Sequence, residues 1–229
     1  MKIIENKILE ELRPSNVRFI RIDPEDLTQT LSDILISLLN LSWLNKFDED
    51  FEIAAFRSRA TKTIKDIKDK FSKCTDDSIT SDAGEYVVSE LSRKALISEL
   101  NYLDIPLGEL LGKKKSGNPG FDFHSQNPNT DTVIFGEAKY IASTTAYSSA
   151  LSQIKDFIQN GKDIEDLPEL KPFCTTLALH RALDGNKGFA AAFSAKSTPS
   201  ITILDNIKKR DDFQEIIKYE EVVLLAVNI

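Results

Sequence analysis

The segment TVIFGEAKY, residues 132–140, decides the fold because it carries the clearest strand signal in the sequence. It is rich in β-branched and aromatic residues, and a turn at 126–131 joins it to a shorter strand that carries Asp122, which predicts a β-hairpin. Side chains on a strand alternate between faces, so Glu137 and Lys139 project together. If the two strands pair through that turn, Asp122 lies near Glu137 on the same surface.

Two carboxylates beside one lysine are the residue types that metal-dependent hydrolysis of a phosphodiester needs. Mg²⁺ and Mn²⁺ prefer oxygen ligands and are commonly held by one or two carboxylates, so Asp122 and Glu137 are candidate ligands. The metal would lower the pKa of a bound water, and Lys139 would orient that water or help to deprotonate it. The competing interpretation is an ordinary exposed ion pair, which contributes about 0–1 kcal/mol.

Periodic patterns on both sides of this hairpin predict an α/β protein of mixed type, with a central mixed sheet flanked by helices. The order around the hairpin is helix, strand, strand, helix. The expected elements are a strand at 17–22, helices at 27–41, 53–71, 87–96 and 146–160, and a strand at 221–227 that is covered on both faces.

The polar run at 73–78 is the expected boundary between two parts of the chain. Residues 1–75 form an N-terminal strand and helical portion, and residues 76–229 form the main domain with the hairpin. Within the main domain, residues 175–179 fit a strand, whereas the alanines at 182–192 favour a helix. We expect this stretch to be helical.

Composition limits the classes of function. The formal net charge is −7, which argues against a protein that coats nucleic acid non-specifically, because that affinity comes mainly from lysine and arginine. No apolar run approaches the roughly 20 residues of a membrane span, and no signal peptide begins the chain, so we expect a cytoplasmic protein that does not bind membranes. Cys74 and Cys174 are expected to be reduced.

The residues around the hairpin resemble those of the PD-(D/E)xK nuclease superfamily, whose fold is the restriction-endonuclease-like core. The match consists of Gly120-Phe121-Asp122 followed by Gly136-Glu137-Ala138-Lys139, with Pro119 offset from the motif's proline position. It covers residues 80–160 well and the remainder loosely. In that superfamily a core of helix, three strands, helix and strand carries an acid on the first helix, an Asp on the second strand and E-x-K on the third.

The resemblance implies a catalytic set and its metal ligands. The catalytic residues would be Glu85, Asp122, Glu137 and Lys139, and Mg²⁺ or Mn²⁺ would be bound by the three carboxylates and the backbone carbonyl of Ala138. More narrowly, residues 135–140 and the Gly-x-Asp segment look like the nuclease subunit of the Hachiman antiphage system, which acts beside a helicase subunit. This similarity implies a role in antiphage defence with a helicase partner.

Glu85 has two interpretations that the sequence leaves open. It occupies the position where the superfamily often places its helix-borne acid, and it flanks the apolar stripe of the predicted helix. Alternatively, Asp82-x-x-Glu85 is a capping box in which Glu85 bonds a backbone amide at the helix start. Glu90 points away from the stripe and is expected to be solvated.

Three further residues are candidate accessories of the site. His124 shares a strand face with Asp122, which would let it contact a phosphate or the outer shell of a metal, although a hydrogen-bonded structural histidine is the competing interpretation. Gln153 flanks the apolar face of its helix and would line the cleft or remain on the surface. Lys115, in the basic loop with Lys113 and Lys114, would contact phosphates or remain solvated.

Three functions stay open at this point. The first is a nuclease that acts on DNA, with RNA as an alternative substrate, beside a helicase. The second is a self-sufficient type II restriction endonuclease, which needs elements that contact base edges in the major groove. The third is a non-catalytic nuclease-fold subunit of a defence complex. The sequence also leaves open whether the chain forms a homo-oligomer.

Overall fold

A six-stranded sheet organises the chain in a computed structural model, which describes residues 1–75, 79–111 and 120–229. The order of the strands across the sheet is β1-β2-β6-β5-β4-β3. The strands are β1 (Lys2–Ile8), β2 (Val17–Asp23), β3 (Phe123–Asn127), β4 (Thr132–Lys139), β5 (Gly188–Ser194) and β6 (Glu221–Val227).

The sheet is mixed. The two outer pairs, β1 with β2 and β3 with β4, are antiparallel, whereas β2, β6, β5 and β4 run parallel to one another. Parallel neighbours need crossover connections, and helices supply them on both faces. The predicted class, a mixed sheet flanked by helices, is therefore confirmed, with a β-hairpin at the N-terminus.

The helices include those expected around the hairpin, so the predicted order of helix, strand, strand, helix is confirmed as α3, β3, β4 and α5. The helices are α1 (Leu27–Leu39), α2 (Asp50–Phe71), α3 (Ser81–Leu100), α4 (Gly108–Leu111), α5 (Tyr147–Gln159), α6 (Lys162–Leu170), α7 (Thr176–Leu183), α8 (Ser200–Ile207) and α9 (Asp211–Ile216). No helix of the described residues combines the length and the apolar character that crossing a membrane requires.

Two hydrophobic layers cover the sheet. On one face, alternate residues such as Phe135 and Phe189 pack against α5 and its neighbours. On the other face, residues such as Ile134 and Ala190 pack against α3, with α1 and α2 contributing to the same layer. Because both faces are covered there, β6 is buried along its whole length, as was expected.

The expectation of a helix between 172 and 193 is confirmed for Thr176–Leu183 and wrong for 188–193. The helix α7 ends at Leu183, and Gly188–Ser194 forms the strand β5 between β4 and β6. Alanine has high helix propensity, but a central strand buried on both faces can use small side chains where helices approach closely. Ala190 and Ala192 face the α3 layer and Ala191 faces the α5 layer, so tertiary packing overrides local propensity.

The N-terminal portion shares the sheet with the rest of the chain. Residues 17–22 of β2 pair in parallel with residues 222–227 of β6, so backbone hydrogen bonds link the N-terminal portion to the main domain. The expected boundary is the polar run at 73–78, of which residues 76–78 lie outside the described residues.

Candidate active site

The β3–β4 hairpin brings Asp122 and Glu137 together. Phe123 pairs with Gly136, so the register places Asp122, one residue before β3, opposite Glu137. The backbone N–H of Asp122 donates to the carbonyl of Gly136 at 2.8 Å. The Asp122 carboxylate in turn accepts a 2.9 Å hydrogen bond from the N–H of Ala138, which fixes it beside the strand.

Lys139 lies between two carboxylates. Its Nζ is 2.8 Å from Oε1 of Glu137 and 3.6 Å from Oε1 of Glu85. Glu137 is 1% exposed and Asp122 is 8% exposed, whereas the Glu85 side chain is about half exposed. The structure therefore brings Asp122, Glu137 and Lys139 together at the carboxyl end of β4, with Glu85 at the solvent side.

The surroundings keep Lys139 protonated. Burial by itself lowers the pKa of this lysine, but the negative charges of Glu137 and Asp122, the hydrogen bond to Glu137 and the charge of Glu85 together raise it. A raised pKa means an ammonium at neutral pH. Of the two roles expected for Lys139, orienting a reactant fits this protonation state, and deprotonating water does not.

Two glycines allow aromatic rings to lie against the site. A Cβ on Gly136 would come within 2.3 Å of the Phe123 ring, and a Cβ on Gly84 would come within 2.3 Å of the Tyr140 ring. Both distances are too short for any side chain, so each position needs glycine for a close approach. Because Gly84 precedes Glu85 and Tyr140 follows Lys139, this contact holds the start of α3 against the end of β4.

The capping interpretation of Glu85 is wrong. Thr80 is the N-cap of α3, and its side chain accepts a hydrogen bond from the backbone N–H of Ala83. Asp82 lies in the first turn, where its carboxylate is 3.9 Å from Nζ of Lys70. Threonine is a good N-cap, so the helix starts two residues earlier than a capping box at Asp82 would require.

His124 lies in a buried hydrogen-bonded cluster. Its Nε2 is 3.0 Å from Oδ2 of Asp166, and the same carboxylate oxygen accepts from the backbone N–H of Phe121 at 3.2 Å. The imidazole is 2% exposed and packs edge-on against Phe135. This arrangement matches the structural interpretation of His124 and gives it no contact with solvent.

Asp166 is a residue that the sequence analysis missed. It lies on α6 and contacts residues on both sides of Asp122, namely Phe121 and His124. It thereby positions the segment that carries Asp122. No pattern in the sequence indicates this role, because a single aspartate in a helix with three other acids is normally assigned to the solvated face.

Of the two remaining accessory candidates, Gln153 and Lys115, the structure describes only Gln153. Gln153 is half-buried on α5, which packs on β4 and β5. Lys113, Lys114 and Lys115 lie outside the described residues.

The expectation that Glu90 is solvated is wrong. Glu90 is fully buried and accepts two 2.8 Å hydrogen bonds from the guanidinium of Arg93 and one from Ser37 on α1. The helix α3 packs against the sheet on one side and against α1 and α2 on others, so it buries more than one stripe. A single buried face was too simple an assumption for a helix in the interior of a layer.

The donor set fits a hard cation only in part. Asp122 and Glu137 provide two buried carboxylates on one surface, and Mg²⁺ is commonly held by one or two carboxylates with waters and substrate oxygens. In the described part of the chain, no group of three or more His, Cys, Asp or Glu side chains is arranged to hold a metal ion. A ligand set that includes Glu85 is therefore not formed in this structure, where Glu85 contacts Lys139 instead.

The resemblance to PD-(D/E)xK nucleases has one departure in topology. Between α3 and α5 the described residues contain two strands, β3 and β4, where the superfamily has three. No protein-family model, no curated protein and no solved structure matches this chain.

Proposed function

We propose that this protein is a nuclease that hydrolyses phosphodiester bonds with the help of a divalent cation. One observation carries the proposal: two buried carboxylates, Asp122 and Glu137, converge beside the ammonium of Lys139 at the end of a central strand. Strongly coupled charged groups in such a position are typical of functional sites.

Each side chain has a role that follows from its surroundings. Asp122 and Glu137 would hold Mg²⁺ or Mn²⁺, which supplies a polarised phosphate oxygen and a water of lowered pKa. Lys139 remains an ammonium and would neutralise negative charge on the phosphate that approaches it. Glu85, half exposed at 3.6 Å from Lys139, would keep the ammonium at the mouth of the site.

Burial favours this interpretation over a purely structural ion pair. An exposed ion pair changes the free energy of unfolding very little. Glu137, however, is 1% exposed, and a buried carboxylate needs interactions that compensate for its lost hydration. Apolar residues of similar volume often give equal or greater stability than a buried ion pair. A second carboxylate, Asp122, adds repulsion that a bound cation would relieve.

DNA is the proposed substrate, with RNA as the alternative, and a helicase is the proposed partner. Both follow from the resemblance to the Hachiman nuclease subunit, as does the proposed role in antiphage defence. The net charge of −7 is consistent with help from a partner, because an acidic chain gains little from counterion release on nucleic acid.

A non-catalytic nuclease-fold subunit is the second candidate function. Within the described residues no three-ligand metal cluster exists, and the carboxylate of Asp122 already accepts the N–H of Ala138. Both observations fit a site that holds strands together. The two functions differ in whether the carboxylates are needed for cleavage.

Cleavage assays on purified protein distinguish them. Plasmid, linear duplex, single-stranded DNA and RNA would be incubated with Mg²⁺, with Mn²⁺ and with excess EDTA. We expect cleavage with either cation and none with EDTA. Cleavage that persists in EDTA contradicts the proposed site, and no cleavage of any substrate, with or without the co-purifying partner, favours the non-catalytic subunit.

Variants assign the activity to the site. Asp122→Asn and Lys139→Met should each abolish most of the cleavage. Glu165→Gln is the matched control, because Glu165 is an exposed carboxylate on α6 that pairs with Lys162. Undiminished cleavage in Asp122→Asn and Lys139→Met would point to a contaminating nuclease. Equal losses in all three variants would point to a general loss of folding, which thermal unfolding of each variant would reveal.

A further inference from the structure

Positive charge is concentrated on one helix of this acidic protein. Residues 57–73, which form most of α2 and the turn after it, contain seven cationic and two acidic side chains, a net charge of +5 in a chain of net −7. The cationic side chains are Arg57, Arg59, Lys62, Lys65, Lys68, Lys70 and Lys73. We refer to the six that are exposed, all except Lys70, as the basic face of α2.

The basic face is available to a ligand. Among the described residues, no carboxylate lies within 4.0 Å of the cationic nitrogens of these six side chains, whereas Lys70 contacts Asp82. The apolar side of α2 is buried, with Ala60, Ile64 and Ile67 in the layer next to α3. A basic amphipathic helix that inserts into membranes needs its apolar side exposed, so a membrane surface does not fit.

The basic face lies next to α3, the helix that carries Glu85 of the candidate active site. Lys70 lies 4.9 Å above the ring of Tyr86, and it contacts Asp82 in the first turn of α3. Tyr86 follows Glu85, the residue that contacts Lys139. Arg59, Lys62 and Lys73 line a groove with Tyr86, so these three cations of the basic face lie near the start of α3.

Acidic side chains limit the strength of this surface. The groove also contains carboxylates from α2, α4 and α6, namely Asp66, Asp69, Glu109 and Glu169. These carboxylates repel a polyanion inside the groove, but the outer side of α2 keeps its positive charge. The expected affinity is therefore modest and depends strongly on salt.

We propose that the basic face of α2 binds the phosphate backbone of nucleic acid and directs it to the candidate active site. The direction towards the site rests on the proposed nuclease function, whereas the binding itself does not. From Arg57 to Lys68 the helix spans roughly 17 Å at 1.5 Å per residue, long enough to follow several phosphates. Contacts of this kind carry no sequence information, so binding is independent of sequence.

Salt-dependent binding of the intact chain tests the proposal. Labelled duplex DNA of about 20 base pairs and a single strand of equal length would be titrated between about 50 and 200 mM salt, with EDTA present to prevent cleavage. The test variant is Arg59→Gln/Lys62→Gln/Lys73→Gln, because glutamine keeps helix propensity and removes charge. We expect at least about tenfold weaker binding at the lowest salt and a salt slope reduced by about 2–3.

The matched control removes the same charge on the opposite layer. Lys171→Gln/Lys209→Gln/Lys218→Gln changes three exposed lysines on or beside α6, α8 and α9, and should bind as the unmodified chain does. Equal losses in both variants would mean that only net charge matters and would overturn the proposal. No binding of either probe at the lowest salt would also overturn it, and would leave the basic face to an acidic protein.

Cleavage measurements separate this proposal from the proposed function. If the α2 variant loses binding while the unmodified chain cleaves nothing, the surface stands and the nuclease proposal fails. If the chain cleaves DNA and the α2 variant both binds and cleaves normally, the surface fails and the nuclease proposal stands. The preference between duplex and single strand identifies the form of nucleic acid that the helix accepts.

Discussion

Two buried glutamates at opposite ends of the sheet have opposite kinds of partner. Glu137, near the end of β4, contacts the ammonium of Lys139 and lies opposite a second carboxylate, Asp122. Glu221, at the start of β6, accepts hydrogen bonds from the hydroxyl of Tyr102 and from the amide of Asn127, the latter at 3.0 Å.

This difference separates a structural carboxylate from a candidate catalytic one. Glu221 is satisfied by neutral donors, and Asn127 also donates to Tyr102, so the three side chains form a closed network. Glu137 belongs to a group whose charges oppose one another and which opens towards half-exposed Glu85. Closed neutral networks stabilise a fold, whereas coupled charges at a surface are typical of active sites.

The largest expected effect is on activity. Glu137→Gln removes the charge that would bind a cation and should reduce cleavage by about 100-fold or more, equivalent to about 2.7 kcal/mol in the activation barrier. The free energy of unfolding should change little, because loss of the ion pair with Lys139 and relief of the repulsion from Asp122 oppose each other. Cleavage rates and thermal unfolding measure the two effects. Near-normal activity would mean that Glu137, like Glu221, has a structural role.

The next effect is on stability at the other end of the sheet. Glu221→Gln places an amide donor against the donor of Asn127, and one of them is left unsatisfied, at a cost of about 1–3 kcal/mol. For a chain of this length, each kcal/mol lowers the Tm by roughly 2–4 °C. Cleavage per folded molecule should be unchanged. A large loss of activity at normal stability would mean that Glu221 also takes part in function.

Alkaline titration tests the protonation state of Lys139. Because its neighbouring carboxylates raise the pKa of Lys139, its contribution to stability is complete below about pH 10.4, the ordinary lysine value, and is lost as the pH rises through the folded-state pKa. The difference in Tm between the unmodified chain and Lys139→Met should stay constant from neutral pH to that point. A difference that shrinks near neutral pH would mean that Lys139 loses its proton there and would support a role as general base.

The smallest effect concerns Tyr102. Burial, the charge of Glu221 and their hydrogen bond raise the pKa of Tyr102 well above its ordinary range. Its stabilising contribution is therefore present below about pH 10 and lost above it. In an absorbance titration of the five tyrosines, Tyr102 should remain un-ionised until the protein unfolds. If Tyr102→Phe leaves that delayed ionisation in place, another tyrosine is responsible.

The local part of the site could be predicted from the sequence because it depends on one hairpin. Alternation along 132–139 determines that Glu137 and Lys139 share a face, and the turn after β3 sets the register that adds Asp122. The sequence indicates Glu85 as a candidate but does not determine its position relative to Lys139. Its distance from Lys139 depends on how closely α3 approaches β4, and that depends on Gly84 and Tyr140.

The errors arise where tertiary contacts override local patterns. Glu90 is charged and lies off the main apolar stripe of α3, yet it is buried and accepts hydrogen bonds from Arg93 and Ser37. The alanines of β5 favour a helix by their intrinsic propensity, but helices packed on both faces of the sheet favour a strand there. Asp166 acts through contacts with residues more than 40 positions away, which no local pattern can show.

The position of β6 has a consequence for how the protein assembles. The strand lies between β2 and β5, and Ile22 pairs with Val227 across about 200 residues of chain. The β1–β2 hairpin can form early from local contacts, but its inner edge stays unpaired until β6 arrives. Closing so long a loop makes the last pairing slow, so we expect the exposed edge of β2 to be a site for chaperone binding or mispairing during synthesis.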